Sequence, residues 1–215
     1  MSSLSTVRAL VLTGGRSRRF GGVHKPSIPV GGTPVLTRVH AALAAVPVDG
    51  VWISGPLDGL AEGLRGGVRQ VFERPRYSGP LAGIAAAVAD MPEDPQAVVL
   101  VLAGDVPYTD ATDLALLART CASTGNAVSC ADDEGRLQNL CAAWPDPLLR
   151  ARLAAIGDPA DTAVRRLWEG VEPALVPVSV RSVEDFDTVE DYRRITGEAP
   201  PRCPRADPGC GGGAG

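Results

Sequence analysis

The stretch LVLTGGRSRRFGGVHK, residues 10–25, decides the fold that the sequence predicts. Its first three residues belong to the apolar run from Val7 to Leu12, which is typical of a central parallel strand covered on both faces. The pair Gly14-Gly15 ends this run and opens a loop with four cations: Arg16, Arg18, Arg19 and Lys25. Cations and unobstructed backbone N–H groups are what a polyphosphate needs, although a tight turn with solvated arginines fits the residue types equally well.

The same residues resemble the opening motif of the sugar-nucleotide-type nucleotidyltransferases, L-[AT]-G-G-x-S-x-R-M-G-x(2–4)-K. The chain matches this motif with Leu12-Thr13-Gly14-Gly15-Arg16-Ser17-Arg18-Arg19-Phe20-Gly21 and Lys25. Within that class it is most similar to the molybdenum cofactor guanylyltransferases, the MobA-like NTP transferases. The resemblance implies the α/β class: a Rossmann-like, three-layer α/β/α nucleotidyltransferase fold with a largely parallel sheet of about seven strands.

A second motif, Gly79-Pro80-Leu81-Ala82-Gly83, matches the G-P-L-[AG]-G pattern of the same family. Pro80 suits the first turn of a helix, and the two glycines would let a flat base lie against the backbone. Taken alone, the motif also fits an ordinary glycine-rich helix start. Because both motifs occur in the family's order, the resemblance favours a nucleotide-binding turn.

Asp105 follows the most apolar stretch of the chain, Ala97 to Ala103, which predicts a buried parallel strand. The segment Gly104-Asp105-Val106-Pro107 matches the C-D-[TMV]-P pattern of the family. Proteins usually hold Mg²⁺ with one or two carboxylates together with substrate phosphates, so Asp105 is the candidate metal ligand. An N-cap or turn acid is the alternative interpretation.

A second metal carboxylate is expected at Asp187, in a segment similar to D-x-D-T-P-E-D in which Val189 replaces the usual proline. Thr188 and Asp191 predict a capping box for a helix through Ile195. Capping explains Thr188 and Asp191 without any metal. It leaves Asp187 unexplained, and the resemblance then makes Asp187 the second candidate ligand.

The resemblance implies a full set of site residues. Arg19 and Lys25 would neutralise phosphate charge and form the catalytic set with Asp105, while the backbone of Gly14-Gly15 would bind the triphosphate. The expected nucleotide-binding residues are Leu12, Thr13, Gly14, Gly15, Lys25, Ser54, Glu73, Gly79, Pro80, Leu81, Gly83 and Asp105. The expected metal ligands are Asp105 and Asp187, with Mg²⁺ as the cofactor. The expected contacts to the second substrate are Arg136, Gln138 and Asn139, with a surface hairpin position as the alternative for Arg136.

The reaction implied is attack by a phosphate oxygen of the acceptor on the α-phosphorus of a nucleoside triphosphate, with release of pyrophosphate. The donor would be GTP, and the acceptor the terminal phosphate of molybdenum-bearing molybdopterin. Glu73 is expected near the guanine, whose N1–H and N2–H₂ groups are donors to a carboxylate. His24 and Ser54 stand where relatives often have an acid or an asparagine, which leaves the choice of base open.

Two alternatives remain at this point. One is a sister nucleotidyltransferase that uses CTP or another small phosphorylated acceptor. The other belongs to a different class, a nucleotide-binding regulatory module that does not catalyse. Intact Lys25 and Asp105 favour an enzyme, since a module that only binds has less need of a metal carboxylate.

Composition limits the class of protein further. The 215 residues suit one domain, with residues 1–197 as the nucleotidyltransferase domain and the Pro- and Gly-rich residues 198–215 as a disordered tail. A formal net charge of −4, with the basic excess confined to one loop, argues against nucleic acid as a partner. No apolar run approaches the ~20 residues that span a bilayer. The N-terminus also lacks the basic region of a signal peptide, so we expect a cytoplasmic protein. As a separate expectation, the protein is a monomer or a weak homo-oligomer.

Five cysteines form an odd number with neither a C-x-x-C pair nor a histidine at ligand spacing, so zinc is not expected. Cys121, Cys130 and Cys141 lie in apolar or helical surroundings and are expected to be buried thiols. Cys203 and Cys210 fall in the tail and are expected to be incidental.

Turn residues and periodicity predict the remaining elements. Pro26 is expected to hold Lys25 in an extended conformation. Thr33 as N-cap and Pro34 in the first turn predict a helix to about Ala45. Further strands are predicted at 50–54, 68–72, 127–130, 138–144 and 174–177. Further helices are predicted at 61–64, 80–91, 112–123, 147–156 and 161–168.

Overall fold

The computed structural model describes residues 6–14, 24–131 and 136–199, which form a seven-stranded sheet with helices on both faces. The strands within these ranges are β1 (Val7–Leu12), β2 (Pro29–Val30), β3 (Thr33–Pro34), β4 (Gly50–Ser54), β5 (Val68–Val71), β6 (Val98–Ala103), β7 (Val128–Ala131), β8 (Leu137–Pro145) and β9 (Ala174–Leu175). The α-helices are α1 (Val35–Ala44), α2 (Glu62–Arg65), α3 (Pro80–Asp90), α4 (Ala111–Thr124), α5 (Asp146–Ile156) and α6 (Val189–Thr196). Short 3₁₀ turns occupy Lys25–Ser27, Val164–Trp168 and Val180–Ser182.

The main sheet has the strand order β5-β4-β1-β6-β8-β7-β9, and β2 pairs with β3 apart from it. Strands β5, β4, β1 and β6 pair in parallel, whereas β8 is antiparallel to both of its neighbours. The predicted α/β fold with a largely parallel sheet of seven strands is confirmed. Its carboxyl edge therefore collects the loops that follow β4, β1 and β6, which is where ligands bind in open α/β sheets.

The central strand β1 is buried along its whole length, as the apolar run predicts. Arg8 interrupts that run, but its guanidinium reaches the amino edge of the sheet, where Nη1 donates to the carbonyl of Pro92 at 2.6 Å. Nη2 lies 3.6 Å from a carboxylate oxygen of Asp94. Because the charge is paired at the sheet edge, the aliphatic part of the side chain can remain in the core.

Two apolar clusters cover the two faces and make three layers. One face packs against α1, α4 and α6, through residues such as Leu36, Leu117 and Tyr192. The other packs against α3, α5 and the turn Val164–Trp168, where the rings of Trp144 and Trp168 have centroids 4.2 Å apart. No helix in the ranges that the structure describes has the length and apolar character needed to cross a membrane.

Two local predictions for the segment between β1 and α1 are wrong. Lys25 is not extended but begins a 3₁₀ turn, in which the amide of Ile28 donates to its carbonyl at 3.0 Å. Thr33 is not an N-cap, because Thr33 and Pro34 pair with β2 and the helix begins only at Val35.

The helix predicted at 161–168 is reduced to the 3₁₀ turn Val164–Trp168. Asp161 has a positive φ of 51°, and its amide donates to the carbonyl of Ser78 at 2.7 Å, so it cannot continue a helix. The capping box of Thr188 and Asp191 is confirmed.

The structure describes three of the five cysteines but almost none of the predicted tail. Residues 200–215 of the tail lie outside the described residues, and Cys203 and Cys210 fall among them. Cys121, Cys130 and Cys141 are free thiols, with Cys141 the least buried of the three.

Candidate active site

Lys25 lies between two carboxylates at the carboxyl edge of the sheet. Its Nζ is 2.5 Å from Oδ1 of Asp187 and 3.7 Å from Oδ2 of Asp105. The lysine is 8% exposed, whereas the side chain of Asp187 is 56% exposed. The sequence separates these three residues widely, and the fold brings them into one group.

The 3₁₀ turn and His24 hold Lys25 in place. The hydroxyl of Ser27 donates to the carbonyl of His24 at 2.7 Å, and Pro26 is buried within the turn. The imidazole Nε2 of His24 lies 2.8 Å from the carbonyl of Thr13 and must donate to it, because a carbonyl oxygen only accepts. His24 thereby connects the end of β1 to the lysine turn.

The loop between these two points, residues 15–23, lies outside the described residues. The predictions for Gly15 and Arg19 fall in that segment. Gly14 is described, and its N–H already donates to the carbonyl of Ser54 at 3.3 Å. A triphosphate that used this N–H would have to replace the Ser54 carbonyl.

Asp105 is brought to Lys25 by a close approach of two strand ends. The amide of Gly104 donates to the carbonyl of Leu12 at 2.8 Å, and a Cβ at position 104 would lie 2.9 Å from both that oxygen and Cγ2 of Thr13. A glycine is therefore required here, and the next residue lies directly beside the end of β1. Burial raises the pKa of Asp105, and the ammonium of Lys25 opposes that shift.

Asp185 joins this group, although the sequence prediction did not include it. Burial of its carboxyl raises the pKa of Asp185, and the carboxylates of Asp105 and Asp187 raise it further. Asp185 stands two residues before Asp187, so the D-x-D spacing was the signal that could have identified it. We call Lys25, Asp105, Asp185 and Asp187 the charged cluster.

A first cavity of about 180 Å³ opens beside the ends of β1 and β4. Its lining residues are Leu12, Gly14, Ser54, Glu73, Tyr77, Gly79, Pro80 and Gly83. All of these except Tyr77 were predicted as nucleotide-binding residues. Tyr77 was missed because an exposed aromatic residue in a turn matches no motif.

Two further predicted residues lie behind the wall of the first cavity. Thr13 is buried, and its hydroxyl donates to the carbonyl of Pro56 at 2.7 Å. Leu81 is fully buried in the apolar cluster beneath α3. In this structure both support the cavity rather than line it.

Close packing gives the first cavity its shape. A Cβ at Gly83 would lie 2.8 Å from Oγ of Ser54 and 3.2 Å from Cδ2 of Leu12, so α3 can approach the strand ends only with glycine there. The carboxylate of Glu73 accepts from the amide of Tyr77 at 2.7 Å. Glu73 thus holds the turn before α3, and a base that bound it would share a carboxylate already engaged with the backbone.

A second cavity of about 310 Å³ lies on the other side of β6. Its lining residues are Ala103, Val106, Leu137, Gln138, Asn139, Leu140, Cys141, Val164, Val183 and Asp185. Gln138 and Asn139, predicted as contacts to the second substrate, are among them. Arg136 is exposed and does not line the cavity.

A bulge in β8 forms one wall of the second cavity. Ser129 pairs with Ala142 and Ala131 pairs with Leu137, so residues 138–141 of β8 stand opposite the single residue Cys130. The fully buried hydroxyl of Ser129 donates to the carbonyl of Gln138 at 3.0 Å and also lies near two other carbonyls of the bulge region. One hydroxyl therefore supports this irregular segment, which we call the β8 bulge.

Comparison with known proteins assigns the chain to a family. The model of the MobA-like NTP transferase domain matches residues 9–178. The chain belongs to the MobA-like NTP transferase family. The resemblance inferred from the opening motif is confirmed, and the chain is a member of a family of nucleotidyltransferases.

Two curated relatives of this MobA-like chain are similar over most of its length. A probable molybdenum cofactor guanylyltransferase of Natronomonas pharaonis is 31% identical over 201 residues, which cover 86% of this chain and 94% of the relative. A molybdenum cofactor guanylyltransferase of Acidiphilium cryptum is 33% identical over 142 residues, which cover 66% of this chain and 68% of the relative.

Solved structures agree with the fold. A nucleotidyl transferase from Methanothermobacter thermautotroptrophicus has a TM-score of 0.67 at 25% identity and covers 89% of this chain and 96% of that chain. The 2-C-methyl-D-erythritol 4-phosphate cytidylyltransferase of Thermus thermophilus has a TM-score of 0.61 at 17% identity and covers 90% of this chain and 97% of that chain. At 17% identity the second likeness shows the fold alone.

Proposed function

We propose that this MobA-like nucleotidyltransferase transfers GMP from GTP to the terminal phosphate of molybdenum-bearing molybdopterin and releases pyrophosphate. The observation that carries the proposal is the order of features along the sheet edge. The first cavity lies at the ends of β4 and β1, the charged cluster at the ends of β1 and β6, and the second cavity at the ends of β6 and β8. A donor in the first cavity and an acceptor in the second would meet at the cluster.

Lys25 would stabilise the charge that develops on the phosphoryl oxygens. Its ammonium has three N–H donors, of which Asp187 takes one. Because the lysine is buried and held by its turn, little reorganisation is needed when the substrates react, and fixed cations of this kind lower barriers strongly. Arg19 is proposed to add a second cation to the phosphates.

Asp105 and Asp187 would hold Mg²⁺. Among the residues that the structure describes, no three acidic, histidine or cysteine side chains form a group that could hold a metal ion by themselves. Two carboxylates that need substrate oxygens to complete the shell fit Mg²⁺, which keeps few protein ligands. When bound, the ion would neutralise charge on the phosphate oxygens. The chain's own contribution is to keep the two carboxylates on either side of Lys25.

The first cavity is proposed to bind the base. Glu73 offers a carboxylate to the N1–H and N2–H₂ donors of guanine, and Tyr77 offers an aromatic face that is largely exposed. The two curated relatives named as guanylyltransferases support GTP as donor. A cytidylyltransferase with the same fold makes CTP the second candidate donor.

The test is pyrophosphate release measured with Mg²⁺, molybdenum-bearing molybdopterin and each of the four nucleoside triphosphates in turn. We expect GTP to give the highest kcat/KM. Preference for CTP would replace the proposal with the sister reaction. Saturable GTP binding without pyrophosphate release would instead support a nucleotide-binding module.

A further inference from the structure

Cys130 in β7 and Cys141 in β8 meet at the edge of the second cavity. The strand register pairs Ser129 with Ala142, so Cys141 is the next residue opposite Cys130, at the point where the ladder is interrupted. The hydroxyl oxygen of Ser129 lies 3.2 Å from the carbonyl oxygen of Cys130 and 3.4 Å from that of Cys141, which places the two residues side by side at the interruption. The two thiols are hydrogen-bonded to each other, which shows that the side chains point together.

Cys141 connects the pair to the second cavity. Cys130 is 1% exposed, whereas Cys141 is half-buried and is one of the residues that line the second cavity. Cys141 therefore gives the pair its contact with the second cavity, and the buried Cys130 requires a small oxidant such as hydrogen peroxide.

The hydrogen bond between the thiols makes them chemically unequal. The thiol of Cys141 donates to the sulfur of Cys130, which lowers the pKa of Cys130 against the opposing effects of burial and of Asp113. The same hydrogen bond and burial raise the pKa of Cys141. Since the thiolate is the reactive form of cysteine, Cys130 is the nucleophile of the pair and Cys141 its resolving partner.

Cys121 in α4 provides an internal contrast. Burial alone raises the pKa of its thiol to about 12, so Cys121 remains protonated at neutral pH. It is buried to the same degree as Cys130 but has no thiol partner described. If a reagent modifies Cys130 but not Cys121, the difference in reactivity therefore comes from the Cys130–Cys141 pair and not from burial.

We propose that Cys130 and Cys141 are a redox modification site, at which hydrogen peroxide forms a disulfide that locks the β8 bulge and changes the wall of the second cavity. Of the charged cluster, Asp185 alone also lines the second cavity, and Lys25, Asp105 and Asp187 do not. Its effect on turnover rests on the proposed function, whereas formation of the bond does not.

The chemistry balances with one peroxide per disulfide. The thiolate of Cys130 attacks one peroxide oxygen, the O–O bond breaks, and the departing hydroxide takes a proton to become water, leaving a sulfenic acid. The sulfur of Cys141 then attacks the sulfenic sulfur, the S–O bond breaks, and the hydroxide leaves with the proton of Cys141 as the second water. Two electrons pass from the sulfurs to the peroxide.

The disulfide is expected to affect the second cavity and not the first. Residues 138–141 form the bulge, and Cys141 is part of it, so a bond to β7 fixes the backbone that carries Gln138 and Asn139. The first cavity is lined by an entirely different set of residues. Use of the acceptor should therefore change, while binding of the nucleotide should not.

The experiment treats the full chain, in a Cys203→Ser, Cys210→Ser background, with hydrogen peroxide, alkylates the remaining thiols and maps the peptides by mass spectrometry. The variants Cys130→Ser and Cys141→Ser test the pair, and Cys121→Ser is the matched control. We expect a peptide that joins Cys130 to Cys141 in the background chain and in Cys121→Ser, reversed by dithiothreitol. A folded chain, checked by circular dichroism, that yields no such peptide or that alkylates all three thiols equally overturns the proposal.

The second measurement is functional. After oxidation, GTP binding should stay within about twofold, while acceptor-dependent turnover should fall tenfold or more, because a misplacement of about 1 Å at a reacting group can cost ~10²-fold in rate. Formation of the disulfide with unchanged turnover would remove the regulatory part of the proposal. Absence of turnover even before oxidation would bear on the proposed function and not on the disulfide.

Discussion

The first and second cavities lie at the same edge of one sheet, but different kinds of backbone form them. The first is bounded by the ends of parallel strands and by α3, which glycine at position 83 allows to approach Ser54 and Leu12. The second is bounded by the β8 bulge, whose carbonyls the hydroxyl of Ser129 supports. Glycine, which has no side chain, allows the close packing that shapes the first cavity, whereas hydrogen bonds shape the second.

This difference has a physical consequence. A wall made by close packing around glycine has little room to move, since the interior of a protein is packed as densely as a crystal. A bulge leaves residues outside the regular ladder, and its shape depends on a few polar contacts. We therefore expect a fixed nucleotide site and an adjustable acceptor site, with the charged cluster between them.

The largest effect is expected for Lys25→Ala, which acts on both cavities at once. Loss of the cation should reduce kcat by on the order of ~10²-fold or more, or ~3 kcal/mol of transition-state stabilisation. Lys25 is the only lysine in the sequence, so an amine-directed acylating reagent reports on this site and on the N-terminal amine alone. Mass mapping should show that GTP protects Lys25 from acylation.

The control for Lys25 is Lys25→Arg, which keeps the charge but not the compact ammonium. Lys25 itself is buried, and a planar guanidinium is not equivalent to an ammonium at that position, so activity should be recovered only in part. Turnover of Lys25→Ala at the normal rate would remove Lys25 from the reaction.

The next effect is expected for Asp105→Asn, which should leave a folded protein with very weak Mg²⁺-dependent activity. The same substitution should lower activity but raise the stability of the folded chain at neutral pH. Because burial raises the pKa of Asp105 in the folded chain, the folded state binds more protons than the unfolded state between the two pKa values, and stability falls as pH rises through that window. Replacement by Asn removes this loss.

Stability against urea, measured in chelator from acidic to neutral pH, checks the sign. The variant should match or exceed the wild type at neutral pH, and the difference should shrink below the unfolded pKa of about 3.9. Lower stability of Asp105→Asn at neutral pH would show that pairing with Lys25 outweighs burial. Unchanged metal dependence of turnover would show that the metal ligand lies elsewhere.

A smaller and more local effect is expected for Gly83→Ala, which tests the first cavity alone. The new Cβ would crowd Ser54 and Leu12, at a cost of about 1–3 kcal/mol for overpacking. GTP affinity should fall, and the KM for the acceptor should not change. Gly63→Ala in α2 is the matched control, since nothing lies within 4 Å of the added carbon.

The two cavities also differ in how far the sequence predicted them. The first was anticipated almost residue by residue, because strand ends, glycines and an acid after a buried strand are local features of the chain. Seven of its eight lining residues, for example Ser54 and Gly83, came from such features and from the family motifs they match. Tyr77 was missed because its role depends on the turn that Glu73 holds.

The second cavity was anticipated only in Gln138 and Asn139. The β8 bulge depends on an interrupted register between two strands, and Ser129, which supports it, lies on the other strand. Asp185 reaches the cavity because the segment before α6 returns to the carboxyl edge. Contacts of this kind arise from tertiary packing and leave no periodic trace in the sequence.

The smallest effect is expected for Ser129→Ala, which tests the second cavity alone. Removal of the hydroxyl leaves the carbonyl of Gln138 without this buried donor, at a cost of about 1–3 kcal/mol in unfolding free energy. If the hydroxyl shapes the bulge, the KM for the acceptor should rise while GTP affinity stays constant. Ser123→Ala is the matched control, because its hydroxyl donates to the carbonyl of Thr120 on the exposed face of α4. An equal loss of GTP affinity in Ser129→Ala would mean that the bulge supports the whole edge of the sheet, and the distinction between a fixed and an adjustable cavity would be lost.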